Sequence, residues 1–187
     1  MQAARSMLVH ACLSLLARCG GLSWPMNQYA FRKLLGNAGR VQAWRLLGSS
    51  IDDDVVIGPR VRMRIPSNVT IGAGTLIAGR AWIDSWAPVR IGRNVLVNDD
   101  LLLLTASHLV DSPDFEADVR PISIGDHAWL PVRIIVLPGV TVGEAAVIGS
   151  GSVVSRDIPA YSVAAGSPAR VTGERARRPY RYIPSRL

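Results

Sequence analysis

Between Ile122 and Val154, six aliphatic residues stand six apart: Ile124, Leu130, Val136, Val142, Ile148 and Val154. A second column runs two places earlier, through Ile122, Ala128, Ile134, Val140, Ala146 and Ser152, and every member is aliphatic or small. A period of six fits neither the turn of a helix nor the alternation of a plain strand, so it marks an internal repeat. If each unit is a short strand, residues i−2 and i share one face. Gly125, Gly143 and Gly149 follow three members of the first column, where the chain must turn. The solid that satisfies both columns is a triangular coil with three strands per turn and stacked aliphatic side chains inside.

The same spacing is expected upstream. Ile51 and Ile57 hold it, and an eight-residue step leads to Ile65; Ile71, Ile77 and Ile83 follow at six. A second eight-residue step reaches Ile91, before Val97 and Leu103. Two extra residues suit a bulged corner, expected around Pro59 and again at Ser85 to Pro88, with Asp84 and Trp86 at the second. From Leu103 to Ile124 the period lapses. The middle of that interval is polar and acidic and reads as a loop, residues 105–121, thrown out of the coil, a place where repeat scaffolds carry function.

Composition agrees with a narrow aliphatic coil: 49% of the 187 residues are hydrophobic but only 6% aromatic. The net charge of +7 comes almost wholly from arginine, Lys33 being the sole lysine, and points to anionic partners. No recognised nucleic-acid-reading motif is found; a phosphorylated cofactor is another partner such charge suits, and a solvated basic surface with a basic tail accounts for it equally well. Cys12 and Cys19 make neither a disulfide framework nor a metal set, so a reducing cytoplasm is expected. Met7 to Ala17 is too short to span a bilayer and lacks a small-x-small cleavage site.

Three segments are expected: an N-terminal helical segment, 1–48; the coil, 49–171; and a basic tail, 172–187, with a loosely held end. Residues 1–22 read as one helix ending at Gly20-Gly21. Asn27 to Leu47 reads as another, broken at Gly36 and Gly39, stopped by Gly48, and covering the open end of the coil. The basic ends also suggest contact with an anionic membrane, at its inner face.

Of three histidines, His108 stands where the regular coil is interrupted, and His127 is expected exposed at a corner. Thr105-Ala106-Ser107-His108, followed by Ser112-Pro113-Asp114-Phe115, resembles the hexapeptide-repeat acyltransferases. So do Ile122 to Trp129, Val136 to Gly143, Ile148 to Pro159 and Ala164 to Arg170. The similarity covers Ile51 to Val171 and is nearest to the sugar and exopolysaccharide O-acetyltransferases of the maltose, nodulation-factor and colanic-acid type. It implies a mainly β fold, a left-handed parallel β-helix of hexapeptide repeats with an N-terminal helical segment, an extruded loop and a short tail. It also implies a homotrimer with sites between coils, acetyl-coenzyme A as acyl donor, a saccharide or glycoside acceptor, no metal, and His108 as general base. The chemistry is sound unaided, since an imidazole with an ordinary pKa of about 6.5 can take a hydroxyl proton at neutral pH.

Asp111, Asp114, Glu116 or a backbone carbonyl would orient His108. Asp84, Asp99 and Asp100 lie where the resemblance implies the acceptor, although Ala78-Gly79-Arg80 replaces an asparagine frequent in the family. Trp129, Ser150, Gly151, Arg156 and Arg170 are the implied cofactor contacts, while Leu130-Pro131-Val132-Arg133 departs from the usual small polar sequence. Three other readings use the same coil: an amino-sugar N-acetyltransferase, a non-catalytic trimeric scaffold, and a zinc carbonic anhydrase, which needs three converging histidines.

Overall fold

The computed structural model describes residues 36–187; the expected helix over 1–22 lies outside them. The described chain opens with helix α1 (Asn37–Leu46). Gly36 precedes it and Gly48, at φ +103°, follows it, so both act as boundaries, whereas Gly39 continues the helix instead of breaking it. Val41 and Trp44 are its buried side chains and join the hydrophobic core. Its polar residues close the end of the coil. Asn37 donates to the Val55 carbonyl (3.0 Å) and accepts from the Ile57 N–H (2.8 Å); Arg40 and Arg45 donate to the carbonyls of Ile57 (2.6 Å) and Ile51 (2.8 Å). Backbone groups left open by the first strands therefore find partners.

The coil is a triangular prism of short parallel strands. Its first face is β1 (Ser50–Ile51), β4 (Val69–Ile71), β7 (Val89–Ile91), β12 (Ile122–Ile124) and β15 (Thr141–Val142). The second is β2 (Val56–Ile57), β5 (Leu76–Ile77), β8 (Leu96–Val97), β13 (Trp129–Leu130), β16 (Val147–Ile148) and β18 (Ser162–Gly166), with β19 (Ala169–Glu174) antiparallel at its edge. The third is β3 (Arg62–Met63), β6 (Trp82–Asp84), β9 (Leu102–Leu104), β14 (Ile135–Val136) and β17 (Val153–Val154). Strands stack in register, as in Trp82 beside Leu102 and Leu102 beside Ile135. Ile57, Ile71, Ile77, Ile83, Leu103, Leu130 and Ile148 are fully buried inside, each contributing roughly 2 kcal/mol of apolar burial.

The upstream period is corrected at one residue. Met63, fully buried, continues the column six places after Ile57, and Ile65 is only half-buried. An unbranched thioether fills an aliphatic layer as well as isoleucine does. The first eight-residue step therefore falls between Met63 and Ile71, around a 3-10 turn at Pro66–Asn68, not around Pro59. All three departures from the period, the two bulged corners and the long insertion, consequently lie on one edge of the prism, between the third and first faces.

The glycines act differently from the expected turn-formers. A Cβ on Gly125 would lie 2.5 Å from the Glu144 nitrogen, and one on Gly143 would lie 2.4 Å from the Ala160 nitrogen, so these positions are small because stacked corners touch. The left-handed backbone of the turn falls two residues later, on side-chain-bearing residues such as Arg80, Asn94, Asp100, His127 and Arg133.

The tail is held along its length, against expectation. It runs back along the edge between the first and second faces, from the last coil to the first. Arg175 donates to the carbonyls of His127 and Ala145 (3.1 Å each), the Tyr182 hydroxyl donates to the His127 carbonyl (2.8 Å), and the Ser185 N–H donates to the Gly74 carbonyl (3.1 Å). Arg186 ends the run in an ion pair with Asp54 (2.6 Å). His127 is half-buried beneath this strap, with the Tyr182 ring edge-on at 5.6 Å, rather than exposed.

Candidate active site

The extruded segment is an antiparallel hairpin, β10 (Ala106–His108) and β11 (Ala117–Val119), in which His108 pairs with Ala117. Its neck closes through the Arg120 N–H, which donates to the Thr105 carbonyl (2.9 Å). Thr105 is fully buried and anchors the neck to the coil before it: its hydroxyl donates to the Asp84 carbonyl and accepts from the Ala87 N–H (3.0 Å). The hairpin therefore leaves the third–first edge from a fixed base.

His108 is exposed at the end of β10. Its Nδ1 lies 2.7 Å from the Phe115 carbonyl oxygen, and the Phe115 ring stacks on the imidazole at 4.1 Å with planes 10° apart. A carbonyl only accepts, so Nδ1 carries the proton and Nε2 is left with its lone pair. Among the four candidates, the backbone carbonyl is the orienting group. Glu116 instead accepts from Ser112 (3.2 Å). Phe115 belongs to the motif that carries the resemblance, but its role was not legible there, because it contributes a main-chain oxygen and a stacking face.

Topology divides the other expected site residues between two edges. Asp84 lies at the end of β6, below the hairpin, and pairs with Arg64; its side chain is 13% exposed. Arg156 is exposed on the same edge, after β17. Asp99 and Asp100 occupy the second–third edge after β8, where Arg80 bonds both carboxylates: Nε to Asp100 at 2.6 Å and Nη2 to Asp99 at 3.1 Å. The bond from Arg80 holds the Asp100 carboxyl below its ordinary pKa, against a smaller opposing effect of desolvation, with Arg133 adding attraction. Arg80 thus engages both carboxylates expected to meet the acceptor, offsetting one of their two charges. A single chain does not bring Asp99 and Asp100 together with Asp84.

Ser150 and Gly151 form the second–third edge after β16, and a Cβ on Gly151 would meet nothing within 4 Å. Trp129 stands outward on the adjacent second face, 41% exposed, its indole N–H donating to Asn98 (3.0 Å). Arg170 is exposed on β19 and donates to its neighbour's carbonyl. This corner leaves room for a slender arm, and the arginines suit phosphate. Among the described residues no group of three or more His, Cys, Asp or Glu could hold a metal ion, and no helix is long and apolar enough to cross a membrane.

A prism of this kind, with one hairpin interrupting its coils, is the architecture of the hexapeptide-repeat acetyltransferases. No family model matches the chain. It is 34% identical over 131 residues to the Escherichia coli protein named as the colanic acid biosynthesis acetyltransferase WcaF, covering 70% of this chain and 72% of that one. It is also 34% identical to the galactoside O-acetyltransferase of the same organism, over 67% of this chain and 64% of that one. A hexapeptide-repeat acetyltransferase of Vibrio cholerae, crystallised with acetyl-coenzyme A, superposes with a TM-score of 0.74 at 27% identity, over 80% of this chain and 84% of that one. A maltose O-acetyltransferase of Clostridium difficile gives 0.72 at 29%, over 79% and 81%. The chain belongs to the hexapeptide-repeat acetyltransferases, and its prism is their left-handed β-helix.

Proposed function

We propose that this chain transfers the acetyl group of acetyl-coenzyme A to a hydroxyl of a sugar or glycoside, with His108 as general base at a site between copies in a homotrimer. The observation that carries this reading is an exposed imidazole whose Nδ1 is tied to a main-chain carbonyl, on a hairpin fixed to an acetyltransferase coil. Nε2 takes the proton of the acceptor hydroxyl as that oxygen attacks the thioester carbonyl carbon. The tetrahedral intermediate collapses with cleavage of the C–S bond, and the departing thiolate recovers the proton from the imidazolium. The donor lies along the second face, against Trp129, Ser150 and Gly151, with Arg170 toward its phosphates and Arg156, on the third–first edge, reaching it from the neighbouring copy.

Association of copies is supported by the outward column of the second face. It reads Val56, Leu76, Leu96, Trp129, Val147 and Val163, whereas the first face presents Ser50, Thr70, Arg90, Ser123 and Thr141. Since Asp84 and His108 share one edge while Ser150 and Gly151 occupy another, a site completed by a second copy accounts for the division. We place the reaction in the cytoplasm, where the donor is made; flotation with anionic vesicles tests contact with the membrane's inner face.

His108→Ala is expected to lower thiol release from acetyl-coenzyme A by about 10²- to 10⁴-fold, with the oligomer intact by sedimentation. Undiminished turnover in that variant refutes the reading. Product mass combined with alkaline lability separates an ester from the amide an N-acetyltransferase would make.

A further inference from the structure

The coils before the hairpin carry a cluster the reaction above does not use. On the third face, the Arg62 guanidinium lies 5.1 Å from the Trp82 ring centre. Arg64 lies 5.4 Å from the same ring and 5.0 Å from that of Trp86. Guanidinium and indole thus alternate along the face up to the third–first edge.

Trp86 is 51% exposed, although it is among the largest apolar side chains in the protein. The corner that presents it is rigid. Ser85 and Ala87 on either side are buried, and the Ser85 hydroxyl donates to the Ile65 carbonyl (2.9 Å) and accepts from the Ile65 N–H (3.0 Å). Asn68 donates to the carbonyls of Ser85 (3.0 Å) and Trp86 (3.1 Å), and Ala87 is bonded to Thr105 at the root of the hairpin. An exposed indole on so constrained a corner is preorganised, and it stands on the edge from which His108 projects.

The charge of the cluster is one-sided. Asp84 is its one carboxylate, and Arg64 already pairs with it. Arg60 and Arg62 are exposed and have no acidic partner among the described residues. Indole faces pack on the C–H faces of a pyranose, and a guanidinium recognises a carboxylate with paired hydrogen bonds. A neutral glycoside would use the first and leave the second unanswered. We infer that Arg62 and Trp86, backed by Trp82 and by the Arg64–Asp84 pair, form the acceptor subsite, and that the acceptor is a saccharide bearing a carboxylate, such as a uronic acid. This rests on the acetyl-transfer reading for its role, though not for its binding.

The test is calorimetric binding of a uronic-acid-containing oligosaccharide and of its carboxyl-reduced counterpart to the full chain. The acid form is expected to bind about tenfold more tightly, the weight of one charge-assisted hydrogen bond. Arg62→Gln is expected to erase that preference. Trp86→Ala is expected to weaken both forms, and Trp86→Phe, which keeps an aromatic face, to restore them. Equal affinity for the two forms, or a preference that survives Arg62→Gln, overturns the inference. An inactive enzyme with the expected binding pattern sinks the acetyl-transfer reading alone. An enzyme that acetylates glycosides without preferring the acid form sinks the subsite alone.

Discussion

The imidazole of His108 meets one residue twice, at the Phe115 carbonyl and at the Phe115 ring. The carbonyl fixes the tautomer and the ring fixes the plane. Phe115→Ala keeps the first and removes the second. A stacked aromatic contact is worth about 0.5–1.5 kcal/mol, so kcat is expected to fall by at most about 2- to 13-fold. The KM for acetyl-coenzyme A should be unchanged in steady-state assays, and a change there would mean that Phe115 touches the donor. Arg80 offers a second test at this scale. Asp100 has a folded-state pKa below its unfolded one, so its pairing stabilises the protein above the unfolded value and ceases to as pH falls through the folded one. Arg80 sits at φ +49°, which asparagine tolerates. Arg80→Asn is therefore expected to lower Tm at neutral pH, with the gap to wild type closing below the ordinary carboxylate range. A gap that persists into that acid range would assign the loss to something other than this pair.

The elements were unequally visible in the chain. The three faces follow from a period of six, because every coil must put the same kind of side chain inside. Met63 escaped because the column was read as branched aliphatic, which misplaced one corner by a strand. The hairpin was visible as a lapse in the period, and a backbone carbonyl was among the groups expected to orient His108, but which carbonyl was not legible, since a main-chain oxygen leaves no trace in residue type. The strap along the first–second edge was hidden for the same reason: Arg175 and Tyr182 bond to carbonyls, and an Arg- and Pro-rich sequence looks like a free end. Arg175→Ala removes a half-buried guanidinium from the His127 and Ala145 carbonyls and from its place 3.9 Å over the Tyr180 ring. The expected cost is about 1–3 kcal/mol, and amides of the tail should exchange faster with deuterium. Unchanged exchange would mean that the remaining contacts hold the strap alone.

At the scale of the whole molecule, the prism has unlike sides. The first face is polar outward and the second is apolar along its length. Leu96→Arg on the second face is expected to give a single-chain species in sedimentation and to abolish activity, whereas Thr70→Arg on the first should leave the assembly intact. Dissociation by both, or by neither, would detach oligomerisation from face polarity. The division of Asp84 and Arg156 from Ser150 and Gly151 between two edges also belongs to this scale. Sequence order sets residues side by side along the chain, while a coil distributes consecutive corners around three edges. The strap changes how such a stack behaves as a whole. Coils that touch only their neighbours can peel away singly from either end. Here the tail lies across the coils from Arg175 to Arg186, and its end pairs with Asp54, 132 residues earlier in the chain, so the strap ties together coils that a bare stack would leave in contact with their neighbours alone.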